Sequence, residues 1–122
     1  MKVLLVEDEK ILREMCSKHL KKNNVSVIEA IDGEEAIQKA EEELPDVILL
    51  DIIIPSKDGY EVLENIKNNP QTKNISVVML SNLGQQEEVD KAEKLGADDF
   101  IIKANTMPKE IAEYVLENFA KN

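Results

Sequence analysis

Short apolar, β-branched runs recur five times along the chain, and a stretch with helical spacing follows each one. Nothing else in the sequence narrows the choice of fold as much. The runs are Lys2–Val6, Val25–Glu29, Asp46–Leu50, Ile75–Leu80 and Asp99–Ile102. Residues 9–22 place Leu12, Met15, Cys16 and Leu20 on one stripe, and residues 34–43 do the same with Ala36, Ile37 and Ala40. Residues 60–68 offer Val62, Leu63 and Ile66, and residues 85–95 offer Val89, Ala92 and Leu95. The last predicted helix, 108–120, carries Ile111, Ala112, Val115, Leu116 and Phe119. Gly33 precedes the second helix, Pro70 helps close the third, Gly96 ends the fourth and Pro108 opens the fifth,.

Strands this continuously apolar belong in a parallel sheet covered on both faces. Five βα repeats cannot close an eight-stranded barrel. The expected fold is therefore α/β: an open, doubly wound, five-stranded parallel sheet of flavodoxin-like order 2-1-3-4-5, as one domain over residues 1–122. With 43% hydrophobic and only 3% aromatic residues, its core must be built from Ile, Leu, Val and Ala.

In such sheets, ligands bind outside the carboxyl ends of the strands. The first strand ends in Glu7 and Asp8, the second in Glu29, the third in Asp51, the fourth in Ser81 and the fifth in Lys103. The stretch VILLDIIIPSKDG sets Asp51 at the end of a run that otherwise favours burial, so this carboxylate needs a partner, a metal or water,. Glu7, Asp8 and Asp51 repel one another when gathered together, and a hard divalent cation relieves the conflict. Oxygen donors and retained water suit Mg²⁺. Such a site fits phosphoryl transfer, where charge neutralisation and positioning do most of the work. A carboxylate can itself be the nucleophile and form an aspartyl phosphate. Lys103 would then offer positive charge to phosphoryl oxygens, and Ser81 a hydroxyl donor.

Other classes are disfavoured. A net charge of −10 repels nucleic-acid backbones and anionic membranes,. No apolar run approaches the roughly 20 residues of a membrane span, and the start does not read as a signal peptide. The single cysteine, Cys16, cannot pair within the chain and suits a reducing cytoplasm; it reads as a small buried hydrophobe,. His19 reads as an exposed helix residue. The acidic loop VEDEK does not cradle a flavin phosphate, which argues against a flavin carrier,. No insertion is present that could form the substrate cap of a small hydrolase.

Four motifs, LLVEDE, LLDIIIPSKDG, MLSN and FIIK, stand in order at the first, third, fourth and fifth strand ends. Together they resemble the receiver domain of response regulators in two-component signalling, the CheY-like family, over essentially the whole chain. The resemblance implies a phosphorelay switch rather than an enzyme acting on outside substrates. Asp51 would be the phosphoacceptor. Asp8, Asp51 and the backbone carbonyl of Ile53 would ligate Mg²⁺, with Glu7 acting through water. Ser81 would hydrogen-bond the phosphoryl group and Lys103 would pair with it. Phe100 matches the family's aromatic switch position, and Pro55 and Gly59 would shape the loop after Asp51. The donor would be a phosphohistidine on a sensor histidine kinase or histidine phosphotransfer protein. The output partner would dock on the face of the fourth helix, fifth strand and fifth helix, with the protein as a monomer or a phosphorylation-dependent dimer. Direct nucleic-acid binding and membrane contact are not expected.

Three positions depart from the family pattern. Lys103 is followed by Ala104 where the family usually has a proline with a cis bond. A cis bond before alanine costs about 2.5–4 kcal/mol, so a trans bond is expected. Asn82 follows Ser81 in place of a small residue. Ile53, two residues after Asp51, cannot orient an attacking water. The first two leave open an alternative: a phosphorylation-independent, receiver-like docking scaffold.

Overall fold

The computed structural model describes residues 1–119. Among them, the strands are β1 (Lys2–Val6), β2 (Ser26–Ala30), β3 (Val47–Asp51), β4 (Ser76–Ser81) and β5 (Asp99–Ile102). The helices between and after them are α1 (Lys10–Lys22), α2 (Gly33–Glu43), α3 (Gly59–Asn68), α4 (Gln86–Lys94) and α5 (Pro108–Phe119), with a 3₁₀ turn at Lys103–Asn105. Ala120, the predicted last residue of the fifth helix, lies outside the described residues. The strands form one parallel sheet in the expected order, β2-β1-β3-β4-β5.

Several predicted boundaries move by one residue. Val25 is not in β2, because its N–H closes the end of α1 on the Leu20 carbonyl at 3.2 Å and its side chain is buried beneath that helix. Asp51 belongs to β3, since it still pairs with Leu80 of β4. On α1, the inward stripe is Cys16 and Leu20, whereas Met15 is 45% exposed and His19 is half-buried.

Strand residues alternate between two cores, as the period of two requires. Leu4, Val6, Ile48 and Leu50 pack with Ala36, Ala40, Leu63 and Ile66 of α2 and α3. Val3, Leu5, Val47 and Leu49 pack on the other face with Cys16, Leu20, Ile111 and Val115 of α1 and α5. Continuous apolar strands thus read as two interleaved faces, each covered by helices.

The two edges of the sheet differ. At the amino edge, the Lys67 ammonium of α3 donates to the Ile75 carbonyl at 2.8 Å and to Asp98 Oδ2 at 3.1 Å. Asp98 Oδ2 also accepts from the Val77 amide at 2.7 Å, so one lysine ties α3 to the starts of β4 and β5. Gly96, just past α4, has φ +101°, a left-handed turn that glycine adopts without strain,. The carboxyl edge carries the polar strand ends. It also holds the point between β1 and β3 where the strand order reverses,.

Helix α4 is held differently from its neighbours, because Ala92 is its one buried residue. Tyr60 of α3 supports it instead. Its ring lies 4.3 Å beneath the Lys91 ammonium, and its hydroxyl donates to the Glu88 carbonyl at 3.4 Å,. No helix among the described residues is long and apolar enough to cross a membrane.

Candidate functional site

The carboxyl ends of β1, β3, β4 and β5 converge on a cavity of about 600 Å³ whose lining includes Glu7, Asp8, Asp51, Ser81, Asn82 and Lys103. Glu7 and Asp51 are 1% and 5% exposed, while Asp8 faces solvent. Carboxylate oxygens of these three residues lie within 4.8 Å of one another. Burial follows from position: Glu7 continues an apolar strand, and its N–H donates to the Ala30 carbonyl of β2 at 3.1 Å.

Lys103 answers the question that Asp51 poses in the sequence. Its ammonium donates to Asp51 Oδ2 at 2.6 Å and to Glu7 Oε1 at 2.8 Å. Two buried carboxylates therefore share one cation, which leaves an excess negative charge. Burial pushes the Glu7 carboxyl up to about 7; the bond to Lys103 opposes this, and the Asp51 charge adds to it,. For Lys103, burial pulls the ammonium down, but hydrogen bonds to Asp51 and Glu7, together with their charges, outweigh it and hold the pKa above the usual lysine value. The second Asp51 oxygen, Oδ1, accepts from the Ile53 amide at 3.2 Å.

The loop after β3 is shaped by a close approach. The Gly59 amide donates to the Ile52 carbonyl at 2.7 Å. A Cβ on Gly59 would lie 2.5 Å from the Asp51 carbonyl oxygen and 2.7 Å from Ile52 Cα. Only glycine lets α3 start so near the strand end, and Asp58 caps that start by accepting the Glu61 amide at 3.0 Å,. Ile53 itself is 73% exposed at the cavity rim.

The structure brings together Glu7, Asp8, Asp51, Lys103, Ser81 and the backbone of Ile53. Phe100 stands apart: it is half-buried on β5 and packs on the α2–α3–α4 side of the core. After Lys103 the chain enters the 3₁₀ turn, and the described residues contain no cis peptide, as expected from Ala104. Asn82 is exposed on the cavity lining.

Ser81 has a partner that sequence reading missed. Its hydroxyl donates to Glu88 Oε1 of α4 at 2.7 Å, and its oxygen accepts from the Gly84 amide at 3.2 Å. The spacing of Gln85 and Glu88 carries the signal, since a residue three past a helix start turns its carboxylate back toward the preceding loop,.

The family described as the response regulator receiver domain matches residues 3–115. The chain is 37% identical over 110 residues to the phosphate regulon transcriptional regulatory protein PhoB of Escherichia coli, an alignment covering 90% of this chain and 48% of PhoB. It thus spans about half the length of that relative. Among solved structures, the phosphorylated cyanobacterial phytochrome response regulator RcpA superposes with a TM-score of 0.85 at 32% identity, over 97% of this chain and 92% of that one. The Mn²⁺-bound form of response regulator Rcp1 superposes with a TM-score of 0.85 at 29% identity, over 99% of this chain and 95% of that one.

Proposed function

Since the chain belongs to the response regulator receiver family of two-component signalling, we propose that Asp51 is its phosphoacceptor and that residues 1–122 work as one receiver unit. One observation carries this reading: a nearly buried carboxylate at a strand end, in a cavity, held by a lysine that also holds a second acid. An Asp51 oxygen attacks phosphorus, the phosphorus–nitrogen bond of a phosphohistidine donor breaks, and the histidine leaves. The donor is a sensor histidine kinase or a histidine phosphotransfer protein. Lys103, already at Asp51, stays beside the incoming phosphoryl oxygens and balances part of their charge. Ser81, on the same cavity, turns its hydroxyl to the phosphoryl group. The protein catalyses only this reaction and the hydrolysis of its own aspartyl phosphate, in which water displaces the phosphoryl group from Asp51, and it acts as a switch.

The donor set fits a divalent cation. Three carboxylates lie within reach of one another and Lys103 bonds only two of them, Asp51 and Glu7, so the site carries charge that a cation would neutralise. Asp8, Asp51 and the Ile53 carbonyl would hold it, with Glu7 acting through water, and all-oxygen donors suit Mg²⁺. The Mn²⁺ in Rcp1 is consistent with this class of ion. When bound, it supplies charge neutralisation on the phosphoryl oxygens. The signal leaves through α4, β5 and α5, with Phe100 at its centre, to an output partner, as a monomer or a phosphorylation-dependent dimer. The buried free thiol of Cys16 and the acidic composition suit a cytoplasmic protein that binds neither nucleic acid nor membrane directly.

The test is intact-protein mass after incubation with acetyl phosphate, with and without Mg²⁺, alongside Asp51→Asn. A Mg²⁺-dependent gain of one phosphoryl group that the variant lacks is expected. No gain in the wild-type protein would leave the phosphorylation-independent docking scaffold as the better reading.

A further inference from the structure

A serine hydroxyl has one proton to donate. In this structure Ser81 gives it to Glu88, at 2.7 Å. The bond is charge-assisted, and it sits where water competes poorly, since Ser81 is 3% exposed,. The same Glu88 oxygen accepts the Gln85 amide at 3.3 Å, so a single carboxylate oxygen joins the end of β4 to the start of α4. Glu88 also lines the carboxylate cavity. Its helix buries only Ala92, so this bond and the Tyr60 hydroxyl's bond to the Glu88 carbonyl tie the first turn of α4 to the body, and the Tyr60 ring meets Lys91 one turn on.

We infer that Glu88 is a positioning residue for the phosphoryl reaction: it holds the Ser81 hydroxyl away from Asp51 in the resting protein and competes with the phosphoryl group for its proton. The inference rests on the proposed phosphoryl chemistry at Asp51. Ser81 cannot donate to Glu88 and to a phosphoryl oxygen together, so capture of the phosphoryl group breaks the tie to α4. By the same linkage, anything that draws Glu88 away from Ser81 favours the phosphorylated state. Glu88 thereby weakens phosphoryl binding and at the same time makes α4 sensitive to it. A residue that merely capped α4 would do neither.

Fluoroberyllate with Mg²⁺, a non-transferable stand-in for the phosphoryl group, is titrated into wild-type protein, Glu88→Ala, Ser81→Ala and the double variant. Binding is followed by the amide NMR signals of the cavity. Glu88→Ala is expected to lower the half-saturating concentration about tenfold, the factor a charge-assisted hydrogen bond represents. In the Ser81→Ala background the same substitution is expected to change nothing, because the competing proton is gone. Glu88→Gln keeps an acceptor and the helix cap, so it gives a gain in the same direction but smaller; it serves as the comparison if α4 unravels in Glu88→Ala. Unchanged binding in both Glu88 variants overturns the inference. So does an equal gain with and without the Ser81 hydroxyl, which would mean carboxylate repulsion or helix capping alone. Binding by the wild-type protein keeps the phosphoryl reading intact in those cases. No binding by the wild-type protein overturns both.

Discussion

Replacing Glu7 with glutamine should stabilise the metal-free protein. Glu7 is 1% exposed and shares the Lys103 ammonium with Asp51. Its carboxyl rises from 4.5 to about 7, so the fold disfavours the carboxylate by that interval. At about 1.4 kcal/mol per unit this comes to about 3 kcal/mol, against a usual domain stability of about 5–15 kcal/mol. The sign follows from proton binding. Below pH 4.5 both states carry the proton and the cost is absent. Between 4.5 and about 7 the unfolded chain releases a proton that the folded chain keeps, so stability falls with rising pH; above about 7 the loss is complete,. Glutamine has no proton to lose, keeps one oxygen to accept from Lys103 at the place of Glu7 Oε1, gives up the acceptance from the Glu9 amide that bonds Glu7 Oε2 at 3.2 Å,, and leaves Lys103 and Asp51 as a balanced pair. Urea unfolding in chelator-containing buffer should show Glu7→Gln more stable by about 3 kcal/mol at pH 8, which in a thermal melt is roughly 10 °C in midpoint for a chain of this size. The gain should shrink below about 1 kcal/mol at pH 5. Mg²⁺ should narrow the difference at pH 8, because a ligand that binds the folded wild-type site stabilises it by mass action. A variant no more stable than wild type at pH 8, or a gain independent of pH, refutes the reasoning.

Three further outcomes are expected. Ile53→Asn should shorten the lifetime of the aspartyl phosphate several-fold, since an amide replaces an exposed apolar group that cannot hold the attacking water,; decay measured in Mg²⁺ that is equal or slower in the variant sinks the idea. Gly59→Ala should cost about 2–3 kcal/mol by urea unfolding and slow phosphoryl uptake, because the new Cβ meets the Asp51 carbonyl at 2.5 Å and pushes the strand end,. Cys16 should resist alkylation at pH 8 until denaturant is added, because burial first, and the Glu7 charge second, push its thiol from 9.0 to about 12,. Its neutral thiol is favoured in the fold, so wild-type stability should fall above pH 9 by about 1.4 kcal/mol per pH unit more steeply than that of Cys16→Ala,.

The strands were legible because each is apolar on both faces, and their ends named the site: Glu7, Asp8, Asp51, Ser81 and Lys103 all line one cavity. Element ends were less legible. Val25 reads as strand by residue type but is used to close α1, a choice fixed by its bond to the Leu20 carbonyl. Met15 fits the apolar spacing of α1, yet the helix turns Cys16 and Leu20 inward and leaves Met15 exposed. Polar pairing was the least legible. The Lys103 bridge joins residues 96 and 52 positions apart, and no local pattern signals such a contact. Glu88 is one of several acids in QQEEVDKAEK, and only the fold sets the end of β4 beside it.

The Lys67 knot at the amino edge makes α4 a lever with one end fixed. Its far end turns at Gly96 against the Lys67 side chain, and the next residues are locked to β4 through Asp98 and Val77. At about 1.5 Å per residue, nine residues give an arm of roughly 13 Å,. Rotation about such a fulcrum multiplies with distance: a tilt of only about 10° carries the Glu88 end some 2 Å while the Gly96 end hardly moves. A hydrogen-bond-sized event at the tip therefore becomes a change in the slope of a whole surface ridge, one that a neighbouring molecule could feel without ever touching the cavity.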